Sequence, residues 1–151
     1  MKMHKASLFA LYAVLELASE PERQLSATHI ADTYGISTHH LAKILRTLVR
    51  SGLVQAVRGA GGGYRFTGVV NRTTLLDVIE LFETLESELD SPNPQGQSGA
   101  AVIEELQSIA NEIDDLTKAI LDTITLETAL NSARLRARIG TQGQSLRTQR
   151  S

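Results

Sequence analysis

The stretch from Gly35 to Thr67, GISTHHLAKILRTLVRSGLVQAVRGAGGGYRFT, constrains the fold more than any other part of the chain. Ser37 is a favourable N-cap for a helix, and Gly52 is a favourable residue just past its C-terminal end. After Gly52, the segments LVQAV and YRFT fit two short strands around the glycine-rich turn RGAGGG. The stretch therefore predicts a helix followed by a β-hairpin. One face of that helix would carry four apolar residues at i, i+3, i+4 and i+7, namely Leu41, Ile44, Leu45 and Leu48.

A second short helix is predicted over residues 26–34, with Gly35 closing it. Two helices joined by a glycine-containing turn form a helix-turn-helix, in which the second helix enters the major groove of DNA. A further helix over residues 5–19 would brace the pair. The predicted fold is therefore mainly α with a small β-hairpin wing, a winged helix-turn-helix DNA-binding domain over residues 1–86.

The outer face of the predicted recognition helix carries hydrogen-bond donors, several of them cationic. We expect its N-terminal side chains to meet base edges and its arginines to hold phosphates. An arginine at the hairpin tip precedes a run of glycines that allows close approach, so we expect it to enter the flanking minor groove. The candidate DNA-binding residues are Ser37, Thr38, His39, His40, Lys43, Arg46, Arg50, Arg58, Gly59, Gly61, Gly62 and Arg65.

The formal net charge of −2 hides a strong segregation of charge along the chain. Residues 1–72 contain nine Lys/Arg and four Asp/Glu, a balance of +5. Residues 73–133 contain one Lys and thirteen acids, a balance of −12, and residues 134–151 contain five Arg and no acid. A basic N-terminal half with a helix-turn-helix is typical of a nucleic-acid binder. The alternative is that these blocks are ordinary solvated faces.

A helix from Ala101 to Thr123 is predicted to carry an apolar seam with heptad spacing. A seam of branched residues on an otherwise acidic helix needs a partner. It could pack on its own winged domain, but that small domain offers little surface for so long a helix. We therefore expect homodimerisation through Val102, Leu106, Ile109, Ile113, Leu116 and Ile120.

The other segments complete the predicted domain organisation. A helix capped by Thr73 or Thr74 would extend its apolar face to Phe82, and residues 87–99, rich in Pro, Gly and Ser, would form a flexible loop. Residues 100–133 would hold the dimerisation helix and a short terminal helix. Residues 134–151 would be a disordered basic tail.

Three motifs, RSGLVQAVRGAGGGY, TLLDVIE and a late ITL, resemble the IscR/NsrR/CymR-type winged helix-turn-helix transcription regulators of bacteria, the Rrf2 family. The resemblance runs from about Ala6 to about Leu130. It implies a homodimeric regulator, most often a repressor, bound to double-stranded DNA at a palindromic operator. One departure lies in the wing, where Ala60 stands in the position that usually holds proline.

The family resemblance also raises the question of an iron–sulfur cluster. Relatives that carry one have three cysteines in the segment equivalent to residues 87–99, whereas this chain has no cysteine. Such clusters need thiolate ligands, so we expect no iron–sulfur cluster and no other cofactor. The effector signal, whether a small molecule or a protein partner, cannot be identified from the sequence.

No other site is predicted. His39 and His40 are adjacent on a helix and cannot chelate one metal ion as an i, i+4 pair would, so no metal site is expected. No nucleophile–base constellation or carboxylate pair indicates an enzyme. The sequence shows neither a signal-peptide pattern nor a long apolar run, so we expect a cytoplasmic protein with no membrane partner. The alternative function is a winged-helix protein–protein interaction module that does not bind DNA.

Overall fold

The computed structural model describes residues 2–90 and 93–148. Within these residues the chain is mostly helical, with one two-stranded antiparallel hairpin. This architecture confirms the predicted fold class, including the long C-terminal helix. The elements are α1 (Lys5–Ser19), α2 (Ala27–Tyr34), α3 (Thr38–Ser51), β1 (Val54–Val57), β2 (Gly63–Phe66), α4 (Leu75–Ile79), α5 (Gln97–Thr123) and α6 (Leu126–Thr148).

Side-chain caps and glycines set the limits of the two helices in the helix-turn-helix. Ser26 and Ser37 cap α2 and α3, and each hydroxyl accepts a hydrogen bond at 3.1 Å from a backbone N–H three residues later. Gly35 and Gly52 end the same helices with φ of 64° and 84°. Glycine adopts this left-handed conformation without the steric cost of a Cβ, so the turn between the helices is determined locally.

A hydrophobic core joins the helices to the base of the hairpin. The apolar stripe of α3 is fully or almost fully buried, as the sequence predicts. It packs with the buried side of α1, and burying each such side chain contributes about 1.5–3 kcal/mol. The core is completed by residues from later elements, including Val54, Phe66, Val78, Ile79, Leu121 and Leu126.

The hairpin is attached to the helix-turn-helix through the connection between α1 and α2. Val54 pairs with Phe66 in the two-stranded sheet, and Leu25 forms a bridge to Tyr64 on the other side. The Leu25 amide donates to the Tyr64 carbonyl at 2.9 Å and the reverse bond is 2.8 Å. A Cβ on Gly63 would lie 2.5 Å from the Leu25 carbonyl oxygen, so this close backbone approach needs glycine.

Helix α4 is shorter than its apolar pattern predicts. Thr74 and Asp77 form a reciprocal capping box at its start, but the α-helix ends at Ile79 and turns follow as far as Phe82. Immediately after this turn, the chain contacts α1 and the residue that precedes it. There the Glu83 carboxylate, 3% exposed, accepts hydrogen bonds from the Ser7 hydroxyl and from the His4 backbone amide. These long-range contacts override the helical periodicity.

Helix α5 begins at Gln97, so the predicted loop over residues 87–99 ends earlier than expected. Residues 91–92 of that loop lie outside the described residues. Its start is fastened to α5, because the Ser87 hydroxyl donates to the Asp114 carboxylate at 2.8 Å and Gln107 donates to the Ser87 carbonyl at 2.8 Å. The predicted flexibility of this loop therefore does not extend to Ser87.

The predicted short terminal helix and disordered basic tail need correction. Thr125 caps α6 as expected, but α6 continues to Thr148 and does not end near residue 133. The segment after residue 133 is rich in arginine and glutamine, which favour helix, and it contains no proline. Because the segment is also polar and of low complexity, its composition predicted disorder instead of a helix. Residues 149–151 lie outside the described residues.

Candidate nucleic-acid interface

The exposed face of α3 presents a row of polar and cationic side chains. His39, Lys43, Arg46 and Arg50 follow one another at intervals of four, three and four residues, which places them on one side of a helix. All four are exposed, and Thr38 is exposed beside them at the N-terminal end. This row lies opposite the buried apolar stripe. The core therefore fixes which side of α3 faces outwards.

Two other predicted site residues of α3 have structural roles. The Ser37 hydroxyl accepts the hydrogen bond that caps the helix. His40 is half-buried, and its ring meets the ring of Phe9 edge-on, with centroids 5.3 Å apart and planes at 75°. Because His40 contacts α1, it supports the position of α3.

The tip of the wing is a tight turn that only glycine accommodates at several positions. The Gly62 amide donates to the Gly59 carbonyl at 2.9 Å, and Gly59 and Gly61 have φ of 106° and 75°. A Cβ on Gly62 would collide with the Val57 carbonyl oxygen. Arg58 enters this turn with its side chain exposed, next to backbone that carries almost no side chains.

Arg65 lies on the same hairpin but in a more constrained setting. It is half-buried on β2, opposite Gln55 of β1, and its guanidinium donates to the Gln55 side-chain oxygen at 3.1 Å. This cross-strand pair holds the Arg65 charge beside the wing. Gln55 was not among the predicted residues, although its place opposite Arg65 follows from the hairpin register.

The formally charged side chains of α3 and the hairpin are all basic. Residues 35–67 contain five Lys/Arg and no Asp/Glu. The side chains of Lys43, Arg46, Arg50 and Arg58 form no ion pair within the described residues, so their charges are available to an external anion. Exposed basic side chains on a helix and on the hairpin that follows it fit the phosphate backbone of a duplex.

A tyrosine pair positions the helix-turn-helix against α1. Tyr34, at the end of α2, stacks on Tyr12 with ring centroids 5.0 Å apart and planes at 7°. Its hydroxyl donates to the Glu16 carboxylate at 2.5 Å. Burial, followed by the hydrogen bond and the negative charge of Glu16, raises the pKa of Tyr34 well above its ordinary value. This contact was not predicted, because neither residue lies in a recognisable sequence motif.

The predicted dimerisation residues lie apart from this basic surface, on α5. Here and below, the α5 seam means Val102, Leu106, Ile109, Ile113, Leu116 and Ile120. Its six side chains are between 44% and 65% exposed. The alternative in which the seam folds back on its own winged domain is therefore wrong. The side of α5 that does pack on the domain buries Leu121.

The donor set does not suit an iron–sulfur cluster. The chain has no cysteine, so no thiolate ligand exists anywhere in it. Within residues 2–90 and 93–148, no group of three or more His, Asp or Glu side chains is arranged to hold a metal ion. The same described residues contain no helix that is long and apolar enough to cross a membrane.

Comparison with known proteins places these features in a family. Residues 3–132 match the Rrf2 family, described as iron-dependent transcriptional regulators. A relative from Rhodopseudomonas palustris, named as the HTH-type transcriptional regulator BadM, is 41% identical over 150 residues, which cover 97% of this chain and 94% of that protein.

Two solved structures are similar in fold. One is CymR of B. subtilis, titled the global cysteine regulator, with a TM-score of 0.69 and 29% identity over 87% of this chain and 98% of that one. The other is IscR of T. potens, with a TM-score of 0.66 and 26% identity over 88% of each chain. These matches confirm the resemblance drawn from the sequence motifs.

Proposed function

The chain belongs to the Rrf2 family of transcriptional regulators, and we propose that it is a homodimeric repressor that binds a palindromic operator without an iron–sulfur cluster. The observation that carries this proposal is the acid-free basic surface formed by α3 and the wing. A regulator of this kind would act in the cytoplasm, where bacterial DNA lies. The relatives are transcriptional regulators, and we propose no catalytic activity.

In the proposed complex, α3 enters the major groove. Thr38, His39 and Lys43 lie near its N-terminal end, the part of a recognition helix that meets base edges. Lys43 suits the acceptor-rich edge of guanine, whereas Arg46 and Arg50 further along hold phosphates. Phosphate contacts supply affinity and orientation, and base contacts supply sequence preference.

The wing would contact the flanking minor groove. Arg58 is exposed beside the close turn at Gly59–Gly62, which offers no bulky side chain to obstruct approach. A guanidinium is weakly hydrated and always charged, so it enters the narrow, strongly negative groove of A·T-rich DNA readily. Arg65, held by Gln55, would add charge next to the phosphates.

Dimerisation is supported by the exposure of the α5 seam. Six large aliphatic side chains at heptad spacing form one exposed stripe, and such a stripe is stabilised when a second helix covers it. Two chains joined through their seams would present two copies of α3 to successive major grooves, about 34 Å apart. The two-fold symmetry of that dimer is what makes a palindromic operator the expected target.

The absence of cysteine separates this protein from the iron-dependent description of its family. Without thiolate ligands, sensing through an iron–sulfur cluster is not available to the chain. Control of DNA binding would instead come from a small molecule or a protein that changes the separation of the two winged domains.

The experiment that tests the proposal is selection of DNA fragments by the purified protein, followed by titration of the enriched sequence. We expect enrichment of a palindrome, and a binding constant that falls steeply with salt because several phosphates are neutralised. A winged-helix module that binds only protein would enrich no sequence. That result would refute DNA binding as the function.

A further inference from the structure

The C-terminal half of α6 leaves the body of the protein. The Arg134 guanidinium donates to the Ser19 carbonyl at 3.1 Å, and Ala137 is the last α6 residue lining the shallow groove against α1. Every residue from 131 to 143 is exposed. We refer to residues 135–143 as the α6 arm.

A helix in this position needs a stabilising contact. The arm contains Gly140 and Gly143, each of which costs about 1 kcal/mol relative to alanine inside a helix. Isolated helices shorter than about 12–15 residues are marginal in water, because most helical stability in proteins comes from packing one face. The arm has the backbone of a packed helix, but within it only Ala137 lines the groove against α1, and every residue of the arm is exposed.

The uncovered side of the arm is apolar and bordered by positive charge. Leu135 and Ile139 are four residues apart, hence on one face, and they are 60% and 62% exposed. Arg136 and Arg138 flank them on either side, and neither forms an ion pair within the described residues. The arm contains no acidic residue.

This combination of apolar and cationic side chains favours an acidic, partly apolar protein surface over DNA as the binding partner of the arm. Phosphates would use the arginines but would leave two large aliphatic side chains in water. Helix α5 offers the complementary chemistry, with six acids and one lysine. Glu105 and Glu112, seven residues apart, border the α5 seam on the same side and are exposed without an ion pair in the described residues.

We propose that the α6 arm docks on α5 of a second copy of this chain. Leu135 and Ile139 would cover part of the partner's seam, while Arg136 and Arg138 would face its bordering acids. This inference rests on the proposed homodimer and adds to it a second contact, between unlike helices. It also offsets a cost of pairing the seams alone, which would bring two acidic helices together without opposite charge between them.

The test is a charge-reversal cycle measured by sedimentation equilibrium of the full chain. One variant is Arg136→Glu with Arg138→Glu, the second is Glu105→Arg with Glu112→Arg, and the third combines all four changes. We expect each double variant to raise the dimer dissociation constant at least about tenfold, since attraction becomes repulsion at exposed pairs. The combined variant should recover most of the loss.

Two further variants separate the possible causes of a change. Arg136→Gln with Arg138→Gln removes charge but keeps helix propensity, so circular dichroism should show unchanged helix and the dissociation constant should rise less than on reversal. Leu135→Gln with Ile139→Gln should also weaken the dimer. If the combined variant loses as much dimer affinity as the two double variants lose when their losses are added, the arm does not contact α5.

The cycle also distinguishes this inference from the dimer itself. If Ile113→Asp makes the protein monomeric while arm reversal changes nothing, the dimer stands and the arm contact is refuted. If arm reversal leaves the dimer intact but weakens binding to the selected DNA and lowers its salt dependence, the arm is a DNA contact and the inference is wrong.

Discussion

At the scale of single residues, the structure divides the predicted site residues into exposed side chains and side chains held by packing or hydrogen bonds. Lys43 and Arg58 are exposed and unpaired in the described residues, whereas His40 packs on Phe9 and Arg65 is held by Gln55. The exposed residues could be predicted because helical spacing decides which side chains face away from the core. The supporting partners could not, because they come from elements distant in sequence.

The first residue-scale prediction distinguishes a minor-groove contact by Arg58 from a major-groove contact by Lys43. Arg58→Ala should weaken operator binding by about 1–3 kcal/mol, with the loss concentrated at A·T positions that flank the half-sites. Lys43→Ala should instead relax the base preference inside each half-site, because Lys43 lies on the outward face of α3. Neither change should affect folding, since both side chains are exposed.

The measurement is anisotropy titration of both variants against operators with swapped flanks, at one fixed salt concentration. Arg72→Ala, an exposed arginine outside α3 and the wing, is the matched control. Uniform weakening across all flanks for Arg58→Ala would show that it contacts only phosphate.

The second prediction concerns Tyr34 and alkaline pH. Burial and the neighbouring Glu16 raise the pKa of Tyr34 in the folded state above its unfolded value of 10.0. The folded state therefore binds the phenolic proton more tightly, and this contribution is complete below about pH 10 and is lost as the pH rises above it. Stability should fall more steeply above pH 10 in the wild type than in Tyr34→Phe.

Urea unfolding at a series of pH values checks this prediction, with Tyr12→Phe as the aromatic control. Parallel pH profiles for wild type and Tyr34→Phe would contradict the assigned role of Tyr34.

At the scale of elements, caps and apolar spacing predicted the helices that are determined locally. Helices α1, α2 and α3 lie within a residue or two of expectation, and Gly35 and Gly52 end the latter two. Local sequence patterns gave the wrong helix end in two cases: where long-range contacts end a helix, and where the composition of a helix is typical of a disordered segment. Helix α4 stops early because Glu83 is held by α1, and α6 continues through a segment whose composition resembles a disordered tail.

The element-scale prediction concerns the α5 seam. Ile113→Asp should weaken self-association by about 3 kcal/mol or more, because a carboxylate would be buried between apolar side chains. Ser108→Asp adds the same charge to α5 away from the seam and should leave the mass at micromolar concentration unchanged. Sedimentation velocity measures both. A wild-type mass for Ile113→Asp would show that the seam is not the interface.

At the scale of the whole molecule, charge is divided among three regions of the chain. The winged domain carries the basic surface, α5 carries acids around an apolar seam, and the end of α6 is basic again. The net charge of −2 does not show this arrangement, because binding depends on the local electrostatic field of each region and not on the net charge of the chain. The distribution could be read from the sequence, but its consequence for assembly needed the exposure of α5 and α6.

The whole-molecule prediction concerns cofactor content. The purified protein should be colourless, should contain no stoichiometric iron and should bind its operator in air, because the chain supplies no thiolate. Iron analysis, visible absorption and titration with and without a chelator check this. Stoichiometric iron that is required for DNA binding would contradict the proposal.

The central claim is that two chains read one palindrome, and a stoichiometric titration tests it most directly. Binding should be measured on the selected palindrome and on a duplex of equal length with one half-site scrambled, at the same salt. We expect two chains per palindrome and at least about a hundredfold weaker binding to the scrambled duplex, since several base pairs are lost at about 1–3 kcal/mol each. One chain per duplex, with equal affinity for both DNAs, would contradict the account.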